Sequence, residues 1–221
     1  MESIRPICLF TLVLLFVVSA CQAAPKDDGT RYPVNLTHTS ADLEIALFAG
    51  GCFWCMEAPF DVIPGVKKTI SGYTDGFVNN PAYREVARGL TGHTEAIQIF
   101  FDPKIVSYEK LLDIFWRNID PTSKDGQFCD RGTQYRSGIY PYTKKQRELA
   151  ELSKITLTNK RLVKGRVETE IKMATRFFKA EEYHQDYYRK NPAHYSRYRN
   201  GCGRDARLRA IWGAPTRTQN H

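Results

Sequence analysis

Short apolar segments alternate with polar and glycine-containing turns from about residue 43 onward. Residues 43–49, LEIALFA, are predicted as a buried strand because the segment is short, rich in β-branched or aromatic residues, and ended by Gly50-Gly51. Residues 52–63 then predict a helix that stops at Pro64-Gly65. Further along, the pattern predicts strands in 66–76 and 94–102, with a short helix in 80–89 between them.

The second half of this region begins with a strongly periodic segment. Residues 107–119 place their apolar side chains on one side of a helix, with Ser107 as its N-cap. The irregular stretch 120–138 follows, and a loop of that length inside a compact domain is more often functional than idle. A strand near Ile139, a charged helix over about 144–159, a strand at 167–172 and an aromatic helix at 180–190 complete the pattern.

Alternating strands and helices of this kind predict an α/β fold, namely a single-domain, two-layer α/β sandwich around a mixed sheet. A long irregular C-terminal tail is expected, with Gly201-Cys202-Gly203 near its start and a short amphipathic helix at its end. The predicted boundaries are 22–41 for a polar tether, 42–213 for the folded domain and 214–221 for a disordered tail.

Residues 1–21 have the composition of a secretory leader. A single Arg precedes an apolar run that is shorter than the roughly 20 residues needed to span a bilayer. The segment 18–21 also resembles a bacterial lipoprotein signal, in which Cys21 carries the lipid; ordinary signal-peptidase cleavage within 20–24 is the alternative. We therefore expect export to the periplasm or cell envelope, with the membrane contacted only through a lipid anchor.

Composition adds little to this assignment, except at the cysteines. The formal net charge is +8, but the 32 Lys and Arg are dispersed among 24 Asp and Glu, so we expect a basic surface and no nucleic-acid partner. The cysteines outside the leader are too few to staple an exported domain of this size. Chemistry is therefore the better explanation for Cys52, Cys55, Cys129 and Cys202.

Cys52 follows two glycines where a strand passes into a helix, a position at which the helix dipole lowers a thiol pKa. Three functions are open at this point. Cys52 and Cys55 form a thioredoxin-like dithiol, or they share a zinc ion with the isolated Cys129 and Cys202, or Cys52 is a nucleophile whose substrate is held by Phe53 and Trp54. Outside the enzymes, the alternative is a basic exported binding module.

Six segments of the chain, in order, resemble the A-type peptide methionine sulfoxide reductases: GGCFWCMEAPF, SGYTDG, NPAYREV, TGHTEAIQI, GTQYRSGIY and EEYHQDYY. The resemblance covers about residues 43–213 and implies a ferredoxin-like core. It also implies reduction of methionine-S-sulfoxide, free or in proteins, without a metal or an organic cofactor, and hence repair of oxidised proteins. The family commonly has Gly at the position of Cys55, so this chain departs from the family pattern there.

The resemblance assigns roles around the sulfoxide. It implies that Cys52 is the nucleophile and that Phe53 and Trp54 enclose the methyl group. Polar contacts to the sulfoxide oxygen are implied for Tyr83, Tyr135 and Asp130, with Glu95 as the proton donor.

Glu95 can also be judged from the strand pattern. It shares one face with Ile97, Ile99 and Phe101 by the period-2 rule, so an acidic group lies in register with apolar ones. A carboxyl there is expected to be desolvated, which raises its pKa and suits a proton donor.

The expected products are methionine and a sulfenic acid on Cys52, which a second thiol condenses to a disulfide for an external thioredoxin-like dithiol to reduce. Cys202 is the favoured resolving thiol because its flanking glycines allow the tail to approach Cys52. Cys55 is the alternative, since residues three apart on a helix lie slightly too far apart for a relaxed bridge. Cys129 is a third candidate. The expected partners are oxidised proteins and the dithiol reductant, and the chain is expected to be a monomer.

Overall fold

A six-stranded mixed sheet organises the part of the chain that the computed structural model describes, residues 42–213. The strands are β1 (Glu44–Gly50), β2 (Val66–Thr74), β3 (Thr94–Phe101), β4 (Gly126–Gln127), β5 (Asp130–Arg131), β6 (Ser137–Ile139), β7 (Glu170–Ile171) and β8 (Phe177–Lys179). The sheet has the order β7-β6-β1-β3-β2-β8, and β6 and β7 run parallel while the other pairs are antiparallel. A separate two-stranded ribbon pairs β4 with β5.

Helices pack around this sheet, as the alternating pattern predicted. They are α1 (Trp54–Asp61), α2 (Tyr83–Ala87), α3 (Tyr108–Arg117), α4 (Lys144–Asn159), α5 (Tyr187–Lys190), α6 (Pro192–Gly201) and α7 (Arg204–Trp212). The mixed sheet with flanking helices confirms the predicted α/β class. Within residues 42–213, no helix is long and apolar enough to cross a membrane.

The three long strands form the centre of the core. β3 lies between β1 and β2. Its buried apolar side chains belong to a hydrophobic cluster that includes Phe48, Phe60 and Phe115. The predicted face of β3 is confirmed, because Glu95, Ile97, Ile99 and Phe101 are all buried. The strand register places Glu95 directly opposite Tyr73 on β2.

The periodic segment 107–119 forms α3 as predicted. The Ser107 hydroxyl accepts a hydrogen bond from the Lys110 backbone N–H at 3.3 Å, which satisfies one of the unpaired donors of the first turn. The buried side of the helix consists of Tyr108, Leu111, Leu112, Phe115 and Trp116.

The C-terminal fifth differs from the sequence prediction in its details. The aromatic helix expected at 180–190 is divided into a 3-10 turn, Glu182–His184, and the short helix α5, because Asp186 has a left-handed backbone with φ of 52°. The strand expected at 167–172 is reduced to β7, and β8 was not predicted. The tail beyond residue 190 carries two helices, α6 and α7.

Predictions for the chain ends lie outside the described residues. They comprise the leader at 1–21 with Cys21, the tether at 22–41 and the terminal segment at 214–221.

Candidate active site

Cys52 lies in the turn between β1 and α1, with 6% of its surface exposed. The Cys55 backbone N–H donates to the Cys52 carbonyl at 3.0 Å, so the first turn starts from Cys52 although α1 itself begins at Trp54. Gly51 makes this junction possible. Its φ is +80°, and a Cβ there would lie 2.6 Å from the Cβ of Gln127.

The thiols of Cys52 and Cys55 are hydrogen-bonded to each other in a buried environment. Burial raises the pKa of Cys52, and the charges of Glu95 and Cys55 add to this effect. The pKa of Cys55 is lowered to about 6, because the Cys52 thiol donates to its sulfur and Arg204 and Arg199 lie near enough to stabilise a thiolate.

The predicted lowering of the Cys52 pKa by the helix terminus is therefore wrong for this arrangement. Desolvation and neighbouring negative charge outweigh the dipole of a helix only eight residues long. Of the two thiols, Cys55 is the one whose pKa is lowered, with the Cys52 hydrogen bond as the main cause.

Glu95 projects from β3 to the same turn. Its Oε2 accepts a hydrogen bond from the Phe53 backbone N–H at 3.0 Å, and 1% of the residue is exposed. Burial raises its pKa to about 8, although the Phe53 hydrogen bond opposes the shift. The expected rise in the Glu95 pKa is confirmed, and the carboxyl is protonated at neutral pH.

Two tyrosines predicted for the site surround this carboxyl. Tyr83 opens α2, and Tyr135 ends the 3-10 turn Thr133–Tyr135. Burial raises the pKa of both hydroxyls, and the charges of Glu95 and Cys52 add to the shift in each case. Both are therefore neutral hydrogen-bond donors at any physiological pH.

The aromatic pair behind Cys52 has two different environments. Phe53 is buried, with its ring 4.9 Å from that of His184 between centroids. Trp54 is partly buried; its indole N–H donates to Nδ1 of His184 at 3.0 Å, and its ring stacks on Tyr187 with centroids 3.8 Å apart. These contacts fix the orientation of the indole beside Cys52.

Asp130 lies in β5 within the long loop. It is partly buried, and burial raises the pKa of its carboxyl against the effect of a hydrogen bond from Tyr198. The Tyr198 hydroxyl donates to Asp130 Oδ2 at 2.5 Å and also contacts the Cys52 thiol. Tyr198 comes from α6, so the C-terminal region contributes directly to the surroundings of Cys52.

Cys129 and Cys202 form a disulfide, while Cys52 and Cys55 are free thiols. The bridge joins the loop that carries Asp130 to the end of α6, which carries Tyr198. Cys129 is exposed, whereas Cys52 and Cys55 are buried. The sequence prediction favoured Cys202 as the thiol that forms a disulfide with Cys52. In this structure Cys202 is bonded to Cys129.

Arg204, the first residue of α7, inserts a buried guanidinium behind the cysteine turn. Its Nη2 donates to the Gly50 carbonyl at 3.0 Å and to the Asn118 carbonyl at 2.7 Å, and its guanidinium carbon lies 4.4 Å from the centroid of the Phe128 ring. This cation couples the C-terminal helix to the end of β1 and favours the Cys55 thiolate.

Sequence reasoning missed Tyr198, Arg204 and Tyr187. Each lies in the C-terminal region, more than 130 positions from the cysteine turn, and no local pattern connects the two segments. The closest available signal was the clustering of aromatic and basic residues in 187–204.

The zinc alternative finds little support. Cys129, Asp130 and Cys202 cluster closely enough to hold an ion, but the two sulfurs are bonded to each other. Arg136, in the same loop region, has a structural ion-pairing role: its guanidinium contacts Asp75 at 2.8 Å and Glu170 at 2.9 Å.

Comparison with known proteins gives one consistent family. The family model described as peptide methionine sulfoxide reductase matches residues 44–216. The chain is 54% identical over 171 residues to the peptide methionine sulfoxide reductase MsrA of Bacillus subtilis, a match that covers 77% of this chain and 97% of that protein. It is 52% identical over 174 residues to MsrA of Listeria monocytogenes, covering 79% and 98%.

Solved structures agree with the sequence relatives. The reduced form of Mxr1 from Saccharomyces cerevisiae superposes with a TM-score of 0.65 at 30% identity, covering 70% of this chain and 89% of that one. Methionine sulfoxide reductase A of Corynebacterium diphtheriae gives a TM-score of 0.62 at 35% identity, covering 69% and 77%.

Proposed function

Because this chain belongs to the peptide methionine sulfoxide reductase family, we propose that the cluster around Cys52 is its active site and that each residue acts as follows. The protein is an oxidoreductase that reduces methionine-S-sulfoxide to methionine. The observation that supports this assignment best is the pairing of a buried thiol with a protonated carboxyl: Glu95 is tied to the backbone N–H of the residue that follows Cys52.

In the first step, the Cys52 sulfur attacks the sulfoxide sulfur and the sulfoxide oxygen takes a proton. Attack requires a Cys52 thiolate, and the hydrogen-bonded Cys55 thiolate is placed to accept the Cys52 proton. The oxygen then passes to Cys52: the methionine S–O bond and the transient bond between the two sulfurs break, a Cys52 S–O bond forms, and the products are a Cys52 sulfenic acid and methionine. Cys55 thereby serves as the base that generates the nucleophile.

Protonation of the oxygen is the role of Glu95. Its carboxyl, with a pKa of about 8, carries the proton at neutral pH, and the neutral hydroxyls of Tyr83 and Tyr135 complete the donor set. Trp54, held by His184 and Tyr187, forms an apolar wall for the methyl group.

The resolving step is proposed to use Cys55, the runner-up in the sequence prediction. Its sulfur is hydrogen-bonded to that of Cys52. The objection to this pair was that a disulfide between residues three apart would strain a helix. The objection does not apply here, because Cys52 lies in the turn before α1. The assignment of Cys202 to this step stays a prediction, which the Cys202→Ser and Cys55→Ser variants separate.

Reduction of the enzyme is proposed to pass through Cys129 and Cys202. A Cys202 thiolate that attacks the Cys52–Cys55 disulfide, followed by Cys129, would return two thiols and leave a Cys129–Cys202 bridge. That is the combination of thiols and disulfide seen here. The exposure of Cys129 then suits attack by a thioredoxin-type dithiol protein, which could not reach the buried pair.

The deciding experiment offers peptides containing methionine-S-sulfoxide or methionine-R-sulfoxide, with dithiothreitol as the reductant. Methionine formed from the S epimer alone supports the assignment. Reduction of protein disulfides without methionine formation would instead indicate a thiol-disulfide oxidoreductase, and inactivity on both would indicate a binding module.

Export remains a separate proposal, supported by the apolar run and the Cys21 signal in residues 1–21. If Cys21 is lipidated, a Cys21→Ser variant of the full chain should move from the membrane fraction to the soluble fraction, because the anchor requires that thiol. Mass spectrometry of the mature N-terminus distinguishes lipidation from ordinary cleavage. An intact leader on a cytoplasmic protein would contradict both.

A further inference from the structure

The hydroxyl of Tyr198 lies between two groups of the active site. It donates to Asp130 Oδ2 at 2.5 Å and is hydrogen-bonded to the Cys52 thiol. Its ring meets Trp54 edge-on, with centroids 5.7 Å apart and planes at 78°. Two independent contacts therefore fix this hydroxyl against the sulfur that reacts.

The chemistry of the second step calls for a group in this place. After the first step Cys55 carries the proton it took from Cys52; because its pKa is about 6, it returns that proton to solvent at neutral pH. When the resulting Cys55 thiolate attacks the Cys52 sulfenic acid, the S–S bond forms and the S–O bond breaks. The oxygen would leave as hydroxide, a poor leaving group, unless it is protonated as the bond breaks. Glu95, which has already given its proton to the sulfoxide oxygen, is not available unless it is reprotonated first.

We propose that Tyr198 is a catalytic residue of the resolving step, in which it passes a proton from Asp130 to the oxygen that leaves the Cys52 sulfenic acid. The proposal rests on the reductase function. Tyr198 gives its hydroxyl proton to the departing oxygen, which leaves as water. The Asp130 carboxyl restores the proton along the 2.5 Å hydrogen bond, and the Asp130 carboxylate is reprotonated from solvent.

The environment of Asp130 suits this relay. The residue is partly buried, and burial raises its pKa, so it holds a proton more readily than an exposed aspartate. Its second oxygen, Oδ1, lies 3.8 Å from the sulfur of the exposed Cys129. The relay consists of Tyr198 and Asp130, and Glu95, Tyr83 and Tyr135 are not part of it.

The test separates the two chemical steps in single-turnover reactions of fully reduced enzyme. Methionine release reports the first step. Disappearance of the sulfenic acid, measured by trapping with dimedone and by mapping the new disulfide with mass spectrometry, reports the second. Tyr198→Phe keeps the ring and its contact with Trp54 but removes the hydroxyl, so disulfide formation should slow by roughly a hundredfold, and by much more than methionine release does.

Tyr188→Phe is the matched control. Tyr188 lies in the neighbouring helix α5, and its hydroxyl donates to Asp61 Oδ2 at 2.9 Å, away from the cysteine pair. Both steps should keep their wild-type rates in this variant. Asp130→Asn should slow disulfide formation as Tyr198→Phe does.

Several outcomes would overturn the proposal. Wild-type disulfide formation in Tyr198→Phe would remove the hydroxyl from the step, and equal slowing of both steps would indicate a structural role. Absence of methionine release from the wild-type enzyme would instead contradict the reductase function itself, so the two failures are distinguishable.

Discussion

The Glu95 carboxyl group accepts a 3.0 Å hydrogen bond from the backbone N–H of Phe53, a residue 42 positions away in the chain. The bond ties the middle strand of the sheet to the turn that carries Cys52. It also limits the pKa of Glu95, since a hydrogen bond to the carboxylate opposes the effect of burial. Proton donor and thiol are therefore held at a fixed separation by the backbone.

Cys52→Ser should abolish methionine release, even in a single turnover. A serine hydroxyl remains protonated beside Cys55 and cannot form a sulfenic acid. The measurement is methionine released per enzyme from a methionine-S-sulfoxide peptide. Release near the wild-type yield would contradict the assignment of Cys52 as the nucleophile.

Glu95→Gln should slow sulfenic acid formation by roughly a hundredfold or more, because the amide keeps the shape but has no acidic proton. The wild-type rate should fall as pH rises past about 8, where Glu95 loses its proton. This decline should be absent from the variant. A rate constant in Glu95→Gln equal to that of the wild type at every pH from 5 to 9 would exclude Glu95 as the donor.

The same carboxyl should affect stability. Its pKa is raised in the folded state from an ordinary value of 4.5 to about 8, so the folded protein binds more protons than the unfolded chain between these pH values. The contribution of Glu95 to the free energy of unfolding is thus lost as pH rises through that window, on the order of a few kcal/mol. Denaturant titrations should show a shallower pH dependence for Glu95→Gln, with Glu85→Gln, at an exposed position, as the control. Identical pH dependence in wild type and Glu95→Gln would contradict the raised pKa.

Cys55→Ser and Cys202→Ser should fail at different steps. Without a reductant to regenerate the enzyme, both variants should release about one methionine per enzyme. Cys55→Ser should do so more slowly, because it lacks the base. Cys55→Ser should accumulate the sulfenic acid, whereas Cys202→Ser should accumulate a Cys52–Cys55 disulfide and stall with thioredoxin. Peptide mapping checks both. A Cys202→Ser variant that accumulates sulfenic acid would restore Cys202 as the resolving thiol.

Gly51→Ala should destabilise the fold by about 1–3 kcal/mol. The residue has φ of +80°, and its new Cβ would overlap Gln127, whose side chain is hydrogen-bonded to both backbone groups of Asp120. Gly201→Ala is the control, because a Cβ there meets nothing within 4 Å. Thermal unfolding of the two variants measures the difference. Equal melting temperatures would show that the turn tolerates a side chain.

Local pattern was sufficient for much of the fold. Alternation placed Glu95 on the buried face of β3, and the 3.6-residue period located α3 with its Ser107 cap, because both features depend on neighbours within a few positions. The cysteine turn was recognisable for the same reason, since two glycines and Cys52 are contiguous. The family resemblance then supplied Tyr83, Tyr135 and Asp130, which no period could have connected to Cys52.

Only the tertiary structure decided how the C-terminal region meets the active site. The pairing of Cys129 with Cys202, the insertion of Arg204 behind the turn and the contact of Tyr198 with Cys52 join segments that are at least 73 positions apart. The sequence by itself predicted a thiol activated by a helix terminus. The fold instead buries that thiol and raises its pKa, while it lowers the pKa of Cys55, because desolvation and nearby charges depend on every segment packed around a group and not on its neighbours in the chain.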